Sequence, residues 1–165
     1  MIIIVEGIDR VGKTTLCKKL SEEFGILIHK YNGLIEYSKM KNIEESDKTL
    51  GLIQLLKETN SSIIFDRTYL SDYVYGVMER DYDVSEASRN FEIIDQAMSE
   101  LEDVFLIYIL PTDLDKSSNE HGKDLSVYDT LFYELFEMSE IKNKFRCNYN
   151  TMNEVISFIK GRRNK

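Results

Sequence analysis

The chain has 165 residues, is 42% hydrophobic and 30% charged, and carries a formal net charge of −8. That length and balance fit one globular domain with a single core and exclude a disordered chain. No apolar run reaches the roughly 18 residues of a membrane span, and the opening IIIV is too short for a signal peptide. With no basic stripe beyond the tail Lys160-Gly-Arg162-Arg163-Asn-Lys165, neither a membrane nor a nucleic acid is an expected partner.

Residues 2–6 read as an apolar strand running into Gly7-x-x-x-x-Gly12-Lys13-Thr14, the spacing of a phosphate-binding loop. Gly7 and Gly12 permit backbone angles that a Cβ opposes, so successive N–H groups can turn inward around a polyphosphate. Lys13 can reach the β- and γ-phosphates, and the Thr14 hydroxyl can ligate Mg²⁺. The helix at 14–24, apolar at Leu16, Cys17, Leu20 and Phe24, aims its positive dipole end at the same anion. A loop of this spacing between a strand and a helix binds a nucleoside triphosphate. Inside it, Asp9-Arg10 puts a guanidinium near the γ-phosphate, a place suited to an arginine finger supplied in cis. Asp9 can orient Arg10 or accept a hydrogen bond from a sugar hydroxyl; the plain alternative is a surface ion pair worth little.

Gly25 stops the helix, and Ile26–Ile28 reads as a second short strand. Residues 33–45 read as irregular or partly helical. A helix from about Asp47 to Glu58, capped by Ser46 or Asp47, carries Leu50, Ile53, Leu55 and Leu56. The third strand, Ser62–Phe65, ends in Asp66-Arg67. In an open parallel sheet, ligands bind beyond the carboxyl ends of strands, where this pair and the loop both fall. There Asp66 can hold Mg²⁺, directly or through water, and Arg67 can clamp a second phosphate through its planar fork. An internal ion pair or a helix cap is the structural alternative. Residues 69–80 read as a helix, and Ser85 caps another that runs to about Glu102; their apolar positions fit core burial and a dimer face equally well. Val104–Leu110 is the most apolar strand and is closed by the only proline, Pro111. A polar loop at 112–124 leads to a helix at about 125–140, a last strand at Phe145–Tyr149 and a helix at Met152–Lys160. Apolar strands alternating with helices specify one α/β domain over 1–165, in three layers, with helices on both faces of a central parallel sheet. Cys17 and Cys147 read as buried thiols, which implies a reducing, cytoplasmic setting.

The run Gly7-Ile8-Asp9-Arg10-Val11-Gly12-Lys13-Thr14-Thr15, preceded by Glu6 and followed later by Asp66-Arg67-Thr68-Tyr69-Leu70-Ser71, resembles the thymidylate kinase family. The resemblance includes small phage-type deoxynucleoside monophosphate kinases. The family pairs an E-G-x-D-x-x-G-K-[ST]-T loop with a D-R-[YST]-x-x-S segment. One branch carries an arginine directly after the loop aspartate and no catalytic arginine in its lid; another places that arginine in the lid instead. This chain has Arg10, and its expected lid, from Pro111 to about Val127, holds Lys116, His121 and Lys123 but no arginine.

The resemblance implies a P-loop kinase-type fold, ATP and Mg²⁺ as cofactors, and an enzyme of a kind that often forms homodimers. It implies that Gly7 to Thr15, Val11 included, hold the ATP phosphates, that Thr14 and Asp66 serve Mg²⁺, and that Lys13 and Arg10 stabilise the transferring group. Asp9 then touches the acceptor nucleotide, Arg67 grips its phosphate, and Ser71 and Tyr75 line the acceptor nucleoside, with Tyr75 placed to pack on the base. The chain departs from the family where an R-E-P segment is usual. It reads His29-Lys30-Tyr31-Asn32-Gly33, leaving Lys30 as a point charge without bidentate geometry. Asp72 stands where family enzymes commonly have Gly, and an aromatic residue and an arginine are missing near 47–58. These departures bear on substrate identity.

The expected reaction is in-line transfer of the ATP γ-phosphoryl group to the 5′-phosphate of a pyrimidine deoxynucleotide: dTMP, dUMP or a 5-substituted dUMP. An ionised phosphate is already a competent nucleophile, so no strong base is required, and His29 and His121 read as surface or packing residues. A deoxynucleoside kinase is the nearest alternative; it needs a carboxylate base at a 5′-hydroxyl, for which Glu6 and Asp66 are the candidates. A nucleotide-dependent switch is a second, but the Asn-Lys-x-Asp segment of GTP-specific switches is absent.

Overall fold

The computed structural model describes residues 1–30, 42–112 and 124–163. Most of the expected lid, with Lys116, His121 and Lys123, lies outside these residues, as does the start of the stretch at 33–45. The elements run β1 (Ile2–Glu6), α1 (Lys13–Phe24), β2 (Ile28–Lys30), α2 (Asn42–Thr59), β3 (Ile63–Asp66), α3 (Tyr69–Glu79) and α4 (Val84–Ser99). They continue with β4 (Val104–Ile109), α5 (Leu125–Met138), β5 (Asn143–Cys147), a 3₁₀ turn (Tyr149–Thr151) and α6 (Met152–Arg163).

Every strand pair is parallel, in the order β2-β3-β1-β4-β5. β1 and β4 are buried along their whole length, which is why IIIVE and VFLIYI show no polar alternation. α1 packs with α6 on one side, and α2 to α5 pack among themselves. Leu70 and Val74 of α3 and Phe91, Ile94 and Met98 of α4 join this chain's own core, while Val84 and Ile93 of α4 stay exposed. A buried carboxylate locks that layer: Asp95 on α4 accepts from the Tyr69 hydroxyl, from Ser139 Oγ at 2.7 Å and from the Glu140 N–H at 2.6 Å. It thereby fixes the first turn of α3.

Several boundaries differ from the sequence reading, four of them for a reason the structure gives. β2 begins at Ile28 because Ile26 tucks into the core while Leu27 is 83% exposed before pairing starts. α2 starts at Asn42, so neither Ser46 nor Asp47 caps it. α4 is capped by Asp83, whose side chain accepts from the Glu86 N–H at 2.9 Å, rather than by Ser85. β5 runs from Asn143 to Cys147, two residues earlier than its most apolar stretch, because as an edge strand it tolerates polar residues. Among the described residues no helix is long and apolar enough to cross a membrane.

Candidate active site

The parallel register brings the site together. Val5 of β1 and Lys30 of β2 both pair with Asp66 of β3, so Glu6, the loop, Lys30 and Asp66 meet at one end of the sheet. The loop is held open by its glycines. Gly7 has φ +143°, and a Cβ there would lie 2.8 Å from the Ile109 carbonyl oxygen; Gly12 has φ +95°, and its Cβ would lie 2.6 Å from Met152 Cε. From Gly12, α1 begins at once, with the Leu16 N–H donating to the Gly12 carbonyl at 3.0 Å. Arg10 (φ +67°) and Arg67 (φ +78°) also occupy the left-handed region, at about 1–2 kcal/mol each.

Between loop and strand ends lies a cavity of about 380 Å³. It gathers the cations Arg10, Lys13, Lys30 and Arg67 around the carboxylates Asp9 and Asp66, with Gly12, Thr14 and Thr15 completing the wall. In a chain of net charge −8, so local a positive excess marks an anion site. Nearly all the residues expected from the sequence therefore converge. Gly7 and Val11 lie beneath the loop, Val11 being buried.

Lys13 is 7% exposed, and its ammonium donates to the Ile8 carbonyl. Burial, with Arg67 nearby, lowers its pKa to about 7 against the partial restoring pull of Asp9, Glu6 and Asp66. A bound polyphosphate favours the charged form, so binding takes up a proton wherever free Lys13 is neutral. The Kd for ATP is therefore expected to rise roughly tenfold between pH 7 and pH 8.5. Calorimetry in buffers of different ionisation enthalpy measures both the Kd and the proton uptake; a flat profile contradicts this account.

The Thr14 hydroxyl donates to Asp66 Oδ2 at 2.8 Å. A hydroxyl and a carboxylate in contact at the mouth of a phosphate loop fit Mg²⁺, which takes one or two protein oxygens and completes its shell with phosphate and water. Arg67 is 9% exposed and fixed from several directions. Its Nη2 pairs with Asp9, its Nη1 donates to Ser71 Oγ at 3.1 Å, and its guanidinium lies 5.0 Å over the Tyr75 ring. Ser71 in turn donates to Glu6 Oε2 at 2.6 Å, while Glu6 Oε1 accepts from the Thr68 N–H at 2.6 Å and the Thr68 hydroxyl at 2.8 Å. Burial pushes the Glu6 carboxyl up, opposed by the Ser71 hydrogen bond, by Arg67 and by Thr68.

Two of the expected residues stand apart from the cavity wall. Ser71 and Tyr75 are each 3% exposed and lie off the cavity wall, because both are engaged in seating Arg67. The sequence reading also gave no part to Thr68, or to Met152 and Tyr149 beneath Gly12, since each meets its partner across a long stretch of chain.

A phosphate loop after the central strand of a parallel β2-β3-β1-β4-β5 sheet, with a strand-end Asp-Arg beside it, defines the P-loop kinase-type fold. Comparison with solved structures agrees. The chain is similar to the YorR protein of Bacillus subtilis, solved in complex with phosphorylated GDP, at TM-score 0.77 and 21% identity, covering 100% of this chain and 99% of that one. It is similar to Candida albicans thymidylate kinase at TM-score 0.61 and 14% identity, over 99% of this chain and 92% of that one. It is similar too to a deoxyadenosine kinase of M. mycoides, solved with dCMP and a flexible dCDP, at TM-score 0.59 and 18% identity, over 99% of both chains. No protein-family model and no curated protein sequence matches the chain. At these identities the shared property is the fold.

Proposed function

We propose that the chain transfers the γ-phosphoryl group of ATP to the 5′-phosphate of a pyrimidine deoxynucleoside monophosphate, dTMP or dUMP or a 5-substituted dUMP, yielding the diphosphate and ADP. The observation that carries this reading is Arg67, a buried guanidinium held by Asp9, Ser71 and Tyr75 that opens onto the cavity of the phosphate loop. A fixed fork of this kind suits a phosphate dianion, and it faces the same space as Lys13. The cavity thus offers cations for two phosphorylated partners. The pyrimidine preference rests on the family resemblance of the Asp9-Arg10 and Asp66-Arg67 segments, and Lys30 on the cavity wall takes the part of the missing family arginine.

In this reading Gly7 to Thr15 wrap the donor phosphates, and Lys13 leaves the Ile8 carbonyl to meet the β- and γ-oxygens. Thr14 and Asp66 would hold Mg²⁺, which would supply charge neutralisation on the transferring phosphates. Arg10 meets the charge that develops as phosphorus moves, and Arg67 with Lys30 orients the acceptor phosphate. The deoxynucleoside kinase alternative, favoured by the likeness to the deoxyadenosine kinase, needs an open carboxylate. Both oxygens of Glu6 accept from Thr68 and Ser71, which leaves Asp66, on the cavity wall and bonded to Thr14 through one oxygen, as the carboxylate that alternative would need.

Incubation with [γ-³²P]ATP, Mg²⁺ and each common nucleoside monophosphate or nucleoside tests the proposal. Label is expected in dTDP or dUDP. Label in thymidine alone supports the nucleoside kinase, and phosphate release indifferent to every acceptor supports the switch.

A further inference from the structure

Glu6 is the one ionisable residue at the site that is fully buried, and it has no contact with the cavity. Burying a carboxylate is costly unless its lone pairs are matched by donors. Here every donor that matches them comes from the segment just after Arg67: the backbone and hydroxyl of Thr68 and the hydroxyl of Ser71. Ser71 is the connecting link. Its single proton points at Glu6 Oε2, so its lone pairs face Arg67 Nη1, 3.1 Å away. The polarity of that hydroxyl, acceptor toward the guanidinium, is therefore dictated by Glu6. The Thr68 bonds pin the backbone immediately after the left-handed Arg67, φ +78°, a conformation a side chain-bearing residue keeps only when its surroundings impose it.

We propose that Glu6 is a positioning residue for acceptor binding: through Thr68 and Ser71 it sets the place and orientation of the Arg67 guanidinium that receives the acceptor phosphate. The inference rests on the monophosphate kinase reading above. It assigns to Glu6 a part opposite to that of a general base. Both its oxygens are turned inward, onto Thr68 and Ser71, away from any reacting hydroxyl.

The test compares wild type, Glu6→Gln, Ser71→Ala and the double variant, with dTMP, ATP and thymidine as substrates. Glu6→Gln keeps the volume and one carbonyl acceptor but presents an NH₂ group to Ser71, which reverses the hydroxyl and removes the charge behind Arg67. The KM for dTMP is expected to rise about tenfold in each single variant and no further in the double, because both break one relay. The KM for ATP is expected to stay within twofold, and the Tm of Ser71→Ala, with its small loss of volume, guards against a folding defect. Parallel rises in both KM values, a dTMP KM unchanged in either single variant, or additive losses in the double variant would each overturn the assignment. If wild type labels thymidine and not dTMP, the monophosphate reading fails first and this proposal with it. If wild type labels dTMP while Glu6→Gln binds it normally, only the role of Glu6 is lost.

Discussion

Replacing Arg10 by alanine is expected to lower kcat by on the order of 10³ or more while the Kd for ATP changes little. The reason is geometric. Arg10 is exposed on the cavity wall, and the loop holds it in the left-handed region that a free chain avoids. On the proposed reading, ground-state binding of the phosphates falls mainly to Lys13 and the backbone N–H groups of the loop. A cation at the rim of the loop adds most when charge spreads over the transferring group, so its removal acts on the transition state. Single-turnover kinetics with dTMP separate the two outcomes. A rise in KM for ATP with kcat preserved would place Arg10 among the binding residues instead.

Lys13→Met is the second large effect, with kcat/KM for ATP expected to fall by on the order of 10³. Methionine is the informative substitution because the lysine stem is buried, at 7% exposure, and an alanine would leave a void beneath the loop. The cost to folding is about 1 kcal/mol for the Ile8 carbonyl left without the ammonium. The variant is also expected to lose the pH dependence of ATP binding, since the group lowered to about 7 is gone. Retention of that dependence would assign it to another residue.

The parts of this molecule that were legible in its sequence share a property: their signal is local. Gly7 to Thr14 carry their geometry in their own spacing, and IIIVE and VFLIYI carry their burial in their own composition. The errors fall where pairing decides. β5 opens with Asn143 and Lys144 because an edge strand has one open side, and β2 follows Leu27, an apolar residue left exposed. The cap is Asp83, three residues before Glu86, whereas the sequence reading names Ser85 alone. Within the site, too, the long-range contacts were not legible. Ser71 and Tyr75 were read from the right segment, but the contacts of Ser71 with Glu6, 65 positions earlier, and of Tyr75 with Arg67 were not. No pattern within one helix encodes that distance.

Cys17 and Cys147 are the only sulfhydryls in the chain, and both are buried and unbridged. Burial pushes Cys147 up to about 12 and Cys17 higher still, so neither presents a thiolate near neutrality. A cysteine introduced in place of Tyr149, whose ring is 60% exposed and rests against Gly12, is then the sole position open to a maleimide dye. A fluorophore attached there is expected to change emission when nucleotide fills the cavity beside Gly12, with Cys17 and Cys147 left unlabelled.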